Sequence, residues 1–281
     1  MHSVVCIKQV PDSSQIRVHP VTNTIMRQGV PAIINPYDLF ALEAALGLKD
    51  RYGGRVTVLC MGPPQAEAAL RKAISFGADE AILVTDRAFA GSDTLATSFA
   101  LASAIGQIQR DMAVDLVFCG KQTIDGDTAQ VGPGIAKRLD LQLLTYVAEI
   151  EHIDPEAREI VVQRRAEGGV QRLRTRLPAL VTVLEGINEM RFADLDAMFR
   201  AARYPLKVWN REQAGIEDVS FIGLKGSPTV VAKVFAPQAR TERAEFIETH
   251  TNTPGDLAAT LLAKVFTRFP QVKAQVERQA V

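Results

Sequence analysis

Cysteine is scarce in this chain. Cys6, Cys60 and Cys119 are odd in number and widely spaced, which excludes a disulfide framework and a thiolate zinc site. Each lies in or at the end of an apolar run, where cysteine serves as a small hydrophobe. An excess of charge of either sign is also missing: 32 Lys+Arg balance 32 Asp+Glu, with no block of like charge. That argues against nucleic acid or an anionic membrane as the main partner. No apolar run approaches the ~20 residues of a spanning helix, and MHSVVCIKQVPD lacks the basic and long apolar parts of a signal peptide. His2, His19, His152 and His250 form no local constellation, and neither a Ser-His-Asp set nor paired acids stand out. The expectation is a soluble, cytoplasmic protein, whose 281 residues suffice for one large domain with a substantial core.

What is present is alternation. SVVCIKQV (3–10), VTVLCMG (56–62), AILVTD (81–86) and DLVFCG (115–120) are short continuous apolar runs, the pattern of strands buried on both faces. Between them helical patterns run from Tyr37 to Arg51, Pro63 to Phe76, Ser92 to Arg110 and up to about Leu141. Gly53-Gly54 follows the first helix, Pro63-Pro64 opens the second, and Ser92-Asp93 suits the start of the third. The fold expected is α/β: a three-layer parallel sheet with ligands beyond the carboxyl ends of its strands. After Leu144 the pattern changes. TYVAEIEHI and EIVVQRRAEG alternate around the turn DPEAR, which predicts an added antiparallel hairpin, and QRLRTRLPALVTVLEG follows. From Asn188 to Pro237 the sequence is loop-like apart from LDAMFRAAR. TPGDLAATLLAKVFTRFP then reads as an amphipathic helix in a C-terminal arm, with Thr253 as cap and Leu257, Leu261, Leu262, Val265, Phe266 and Phe269 on one stripe.

The segment GKQTIDGDTAQVGP (120–133) leaves the fourth apolar strand and carries the densest polar chemistry. Gly120 and Gly126 permit close approaches that a side chain would forbid. Asp127 and Gln130 have the spacing of a helix N-cap and its reciprocal partner, and a helix start with free N–H groups suits a phosphate. Lys121 adds a charge. Pro133 is comfortable only in a first turn, so either the helix starts near Pro133 or a short turn at 127–131 kinks into it. An Asp-capped crossover loop without any ligand fits the same residues. Asp93 and Thr94, at the carboxyl end of the third strand, suit a phosphate or ribose contact, or a plain N-cap.

Five segments in register, CIKQVPD (6–12), NPYDLFALEAAL (35–46), MGPPQAEAALRKAISFGAD (61–79), GKQTIDGDTAQVGP and LPALVTVLEGINEMR (177–191), resemble the β subunit of electron transfer flavoproteins. IDGDTAQVGP resembles the FixA-like, electron-bifurcating branch of that family. The resemblance implies a sheet of adenine-nucleotide-binding type and a nucleotide site built from Cys6, Asn35, Pro36, Tyr37, Asp38 and Met61. It adds Gly120, Lys121, Gln122, Thr123, Asp125, Gly126, Asp127, Thr128, Ala129, Gln130 and Val131, and the loop between Gly120 and Asp125 includes Ile124. In ordinary members the site holds AMP; in bifurcating members it holds FAD. Gly126 stands where a third acid is frequent, and its lack of charge favours a second phosphate. VQRRAEGGVQ (162–171) resembles the segment that marks bifurcating members, with Arg164, Glu167 and Gln171 at matching spacing; an arginine at a flavin's edge shifts its potential. Arg165 falls on the other face of the strand.

The resemblance further implies an α subunit of FixB type and a FixC–FixX quinone oxidoreductase, which gives only indirect contact with a membrane. It also implies NADH as electron donor, and ferredoxin or flavodoxin as acceptor in support of nitrogen fixation. Catalytic side chains are not expected. INEMRFADLDAMFRAARYP (187–205) matches the family's partner-recognition loop, with Leu195 as the anchor. After Leu195 the Lys-rich stretch of dehydrogenase-serving relatives is replaced, which argues against acyl-CoA dehydrogenases as partners. The expected division is an α/β nucleotide-binding domain over 1–184, a recognition loop and linker over 185–236, and an arm over 237–281 that clasps the α subunit. A nucleotide sensor akin to universal stress proteins leaves the hairpin, the 187–205 loop and the terminal helix unexplained. An ATP-pyrophosphatase lacks its Ser-Gly-Gly loop, since the first strand here runs into IKQVPD.

Overall fold

The computed structural model describes residues 1–12, 31–229, 244–247 and 253–279, and backbone pairing at 17–18 and 25–26. The chain forms two compact units, Met1–Phe235 and Ala236–Val281.

The first unit starts with β1 (His2–Cys6), every residue of which is buried. Four short strands follow, β2 (Gln9–Pro11), β3 (Arg17–Val18), β4 (Ile25–Met26) and β5 (Ala32–Ile34), as two ribbons that pair β2 with β5 and β3 with β4. The chain then runs through α1 (Pro36–Tyr52), β6 (Arg55–Met61), α2 (Glu67–Phe76), β7 (Glu80–Val84), α3 (Thr94–Asp111), β8 (Leu116–Gly120) and α4 (Val131–Arg138). Next come β9 (Gln142–Asp154), β10 (Glu159–Ala166), β11 (Gly169–Arg176), β12 (Ala179–Val183), α5 (Leu195–Arg203) and β13 (Lys207–Trp209).

The principal sheet has nine strands in the order β11-β10-β9-β12-β8-β1-β6-β7-β13. From β9 to β13 all neighbours are parallel, and β10 runs antiparallel to both β9 and β11. Strand alternation splits the core in two. Val5, Val58, Cys60, Phe118 and Val181 pack with Leu42 and Leu46 of α1 and Leu70 of α2 on one face. Val4, Leu59, Val117 and Leu180 pack with Leu101 and Ile105 of α3 and Ile135 of α4 on the other. Full burial of side chains such as Phe118, Leu42, Leu59 and Ile105, at about 1.5–3 kcal/mol each, is what holds the three layers together.

Several elements differ from expectation. The hairpin is a three-stranded meander: Gly168 and Gly169, both at positive φ, reverse the chain into β11, whose residues are nearly all exposed. Its polar alternation carries no core signal. The buried run ALVTV does not continue the antiparallel pattern; as β12 it returns to the parallel sheet between β9 and β8. β13 falls within a segment read as loop, because three residues at a sheet edge carry little periodicity; Glu80 binds both Lys207 of β13 and Arg55 of β6. α4 ends at Arg138 rather than near Leu141.

In the second unit, α6 (Pro254–Arg268) and α7 (Pro270–Gln279) follow Thr253, whose hydroxyl accepts from the Asp256 N–H. Along the expected apolar stripe, Leu261, Leu262 and Phe269 are exposed and Leu257, Val265 and Phe266 half-buried. Among the described residues no helix is long and apolar enough to cross a membrane.

Candidate functional site

A cavity of about 890 Å³ opens beyond the carboxyl ends of β1, β6, β7 and β8. It is near the upper end of the roughly 300–1,000 Å³ usual for small-molecule sites. Its first wall is the loop between β8 and α4. Gly120 is a glycine of necessity: a Cβ there would stand 2.6 Å from both Tyr37 and the Asp38 carboxylate. The gap is filled by Asp38, which is buried and accepts from the Lys8 N–H at 2.8 Å and the Gly120 N–H at 3.2 Å. Burial pushes the Asp38 carboxyl up to about 7 against the hydrogen bonds from Asn35, Lys8 and Gly120. Asn35 is buried too; its amide donates to the Gln122 carbonyl and accepts from the Ile124 N–H. The NPYD segment therefore pins the loop at both ends of its first turn.

Farther along, Lys8 holds Asp125 through both carboxylate oxygens at 2.7–2.8 Å. Asp127 and Ala129 have φ of 52° and 54°, a left-handed conformation that costs a residue with a Cβ and marks loops fixed for a purpose. The expected capping arrangement is not formed. Asp127 accepts from the Gln122 side chain, and Gln130, whose side chain accepts from the Thr94 hydroxyl, is the N-cap residue without capping α4. Of the two alternatives for the helix start, the chain takes the first: α4 begins at Val131, near Pro133, which falls in its first turn. An uncapped helix start facing a cavity is a seat for an anion. Gly126 meets only Thr123, at 3.4 Å, so its missing side chain leaves space within the cavity rather than within the loop.

The opposite wall follows β6 and β7: Met61, Gly62, Pro63 and Pro64, then Thr85 to Arg87 and Phe89 to Thr94. Asp93 caps α3 through the Leu95 and Ala96 N–H groups and accepts from Thr229 with its other oxygen. Cys6 and Cys119 lie together at the floor. The Cys6 thiol, then burial, raises Cys119 well above the usual thiol range, and burial pushes Cys60 up to about 12. The three are free thiols, and Cys60 and Cys119 are poor thiolates at neutral pH.

Of the expected site residues, Cys6, Asp38, Met61, Asp93, Thr94, Gly120, Lys121, Gln122, Thr123, Asp125, Gly126, Thr128, Ala129, Gln130 and Val131 line this cavity. Five do not. Asn35, Pro36 and Tyr37 support the loop from behind, where Pro36 opens α1 and the Tyr37 ring lies 4.7 Å from the Lys121 ammonium. Asp127 is turned to Gln122. Arg164 stands on β10, separated from β8 by β9 and β12, with a buried Nε that has no partner among the described residues. Lys121 is itself engaged by Glu185 at 3.0 Å. Lys8, Arg87 and Phe89 line the cavity without having been singled out. Their signal was positional: every loop leaving this sheet edge contributes, including those without glycine.

A second surface surrounds Leu195. Arg191 binds Glu43 through two nitrogens at 2.8 Å and Asp50 at 2.7 Å, fixing the segment ahead of α5. Asp194 caps α5, Ala197 and Ala201 are buried, and Arg71 donates to the carbonyls of Ala201, Ala202 and Tyr204. With that side anchored, Phe192 (98% exposed), Leu195 (67%), Met198 and Phe199 face outward.

Fold and site thus define a class: a parallel α/β protein with a nucleotide-sized cavity at the carboxyl edge of its sheet. Comparison with known proteins gives the family. The electron transfer flavoprotein domain matches residues 22–214. The chain is similar to "Protein FixA" of Azotobacter vinelandii, 70% identical over 281 residues and covering 100% of both chains. It is 62% identical over 274 residues to "Protein FixA" of Azorhizobium caulinodans, covering 97% of this chain and 96% of the other. To "Electron transfer flavoprotein subunit beta" of Thermoanaerobacterium thermosaccharolyticum it is 46% identical over 245 residues, covering 87% and 90%. The chain belongs to the electron transfer flavoprotein family, as a FixA-like β subunit.

Proposed function

We propose that this chain binds FAD in the cavity and pairs with an α subunit of FixB type. In that complex it takes part in NADH-dependent electron bifurcation to quinone, through a FixC–FixX-like oxidoreductase, and to ferredoxin or flavodoxin, supporting nitrogen fixation in the cytoplasm. The observation that carries the reading is the extent of the cavity. It runs from the uncapped start of α4, across Gly126, to Phe89 and Leu101 on the far side. The residues fit a flavin nucleotide. Gln130, Val131 and Gly132 at the start of α4 suit a phosphate, and Pro63, Pro64, Phe89 and Leu101 suit an apolar ring.

When bound, FAD supplies hydride acceptance and one-electron release, chemistry that side chains lack. The chain's own residues hold and orient. Asp38 and Asn35 fix the loop, Lys8 keeps Asp125 in place, and Gly120 lets the backbone of β8 pass against α1. The exposed surface of Phe192, Leu195, Met198 and Phe199 supplies a docking face for the electron-accepting partner. Arg164, on β10, does not line the cavity.

A second reading, a structural AMP in a subunit that carries electrons from dehydrogenases, draws on the same loop, which suits an adenosine phosphate in either case. An NADH titration of the purified heterodimer, followed in the visible spectrum, separates them. Two flavins reduced in succession support the first reading; one flavin, with AMP released on denaturation, supports the second.

A further inference from the structure

Seven charged residues line the cavity: Lys8, Asp38, Asp86, Arg87, Asp93, Lys121 and Asp125. Six are spent within the protein. Lys8 pairs with Asp125, and Lys121 with Glu185. Asp38 accepts from the Lys8 and Gly120 N–H groups, and Asp93 caps α3 and holds Thr229. Asp86 accepts from the Ala88 N–H at 2.9 Å and the Arg211 N–H at 3.3 Å. Arg87 is the exception. Its exposed guanidinium has no partner among the described residues.

The base of that side chain is nevertheless fixed. Arg87 opens a tight turn, Arg87–Phe89, capped by Asp86. Phe89 is buried, its carbonyl accepts from the Ser92 hydroxyl at 2.7 Å, and the Ser92 oxygen accepts from the Gly223 N–H at 3.0 Å. A fixed turn that places an uncompensated arginine at the wall of a cavity suits an anion, and a guanidinium fork matches phosphate oxygens. Arg87 begins the loop after β7, which runs into α3, and there the Thr94 hydroxyl donates to the Gln130 side chain at the start of α4 at 2.7 Å. A second phosphate beyond one seated at α4 brings charge along this loop toward Arg87.

We infer that Arg87 is a specificity-determining residue that binds the second phosphate of a diphosphate-bearing nucleotide and so favours such ligands over AMP. The inference rests on the reading of the cavity as a nucleotide site and adds to it the residue that distinguishes the two nucleotide classes.

The test is calorimetric titration of the nucleotide-free full chain with AMP and with ADP, for the wild type, Arg87→Gln and Arg87→Lys. Wild type is expected to prefer ADP. Arg87→Gln should weaken ADP binding about tenfold and AMP less than twofold, with Arg87→Lys restoring part of the loss. Because the side chain is exposed, melting temperatures should match within a degree or two. An unchanged ADP-to-AMP ratio in Arg87→Gln overturns the role of Arg87 while leaving the nucleotide site standing, and so does an equal loss of both ligands. A wild type that binds neither nucleotide overturns both.

Discussion

Two residues carry most of the site's internal tension. Asp38 is a carboxylate buried where its charge is costly, and it is tolerated because it satisfies two N–H groups, that of Lys8 between β1 and β2 and that of Gly120 at the end of β8. Its folded value of about 7 stands above the ordinary 3.8. Folding therefore favours its protonated form; this contribution is complete below pH 4 and is lost as pH rises toward and through 7. At about 1.4 kcal/mol per unit the loss amounts to a few kcal/mol. Urea unfolding of wild type and Asp38→Asn at pH 5, 6, 7 and 8 should show the wild type losing stability relative to the variant at each step. A difference independent of pH would contradict the assignment. Gly120 is the second. The methyl of Gly120→Ala would press on Tyr37 and Asp38 at 2.6 Å, at a cost of about 1–3 kcal/mol. Urea unfolding should show that loss, together with reduced nucleotide content on purification; a fully stable, fully loaded variant would mean that the loop is slacker than its geometry indicates.

The elements were unequally legible. β1, β6, β7 and β8 are buried along nearly their whole length, so continuous apolar runs revealed them, and the parallel sheet and its ligand edge followed. β11 and β13 could not be read this way, because strands at sheet edges bury little and obey no strong period. The loop was legible in composition but not in detail. Asp127 and Gln130 have cap spacing, yet Asp127 lies at positive φ and bonds to Gln122, so tertiary contacts outweighed local preference. Asp93, by contrast, caps its helix as the local pattern indicated. The contribution of Arg87 and Phe89 needed the fold, since only strand order shows that the loop after β7 faces the loop after β8. α5 is anchored through Ala197, Ala201 and the Arg71 contacts, leaving Leu195 free to meet a partner. Leu195→Ala in the assembled heterodimer should slow electron delivery to the partner severalfold while nucleotide content stays constant. Loss of nucleotide in that variant would place Leu195 with the cavity instead of the docking face.

At the scale of the molecule the division of labour is spatial. Rigid layers carry the core, the carboxyl edge of the sheet carries the cavity, and the α5 surface and the second unit present apolar side chains outward. Redox work by such a chain depends on what the cavity holds, because Cys60 and Cys119 are disfavoured as thiolates and the charged side chains lining the cavity, Arg87 excepted, are engaged with side-chain or backbone partners. The most direct measurement is the nucleotide inventory of the purified complex with the α subunit, released by denaturation and quantified by chromatography. The account predicts two FAD and no AMP per heterodimer; one FAD with one AMP would contradict it.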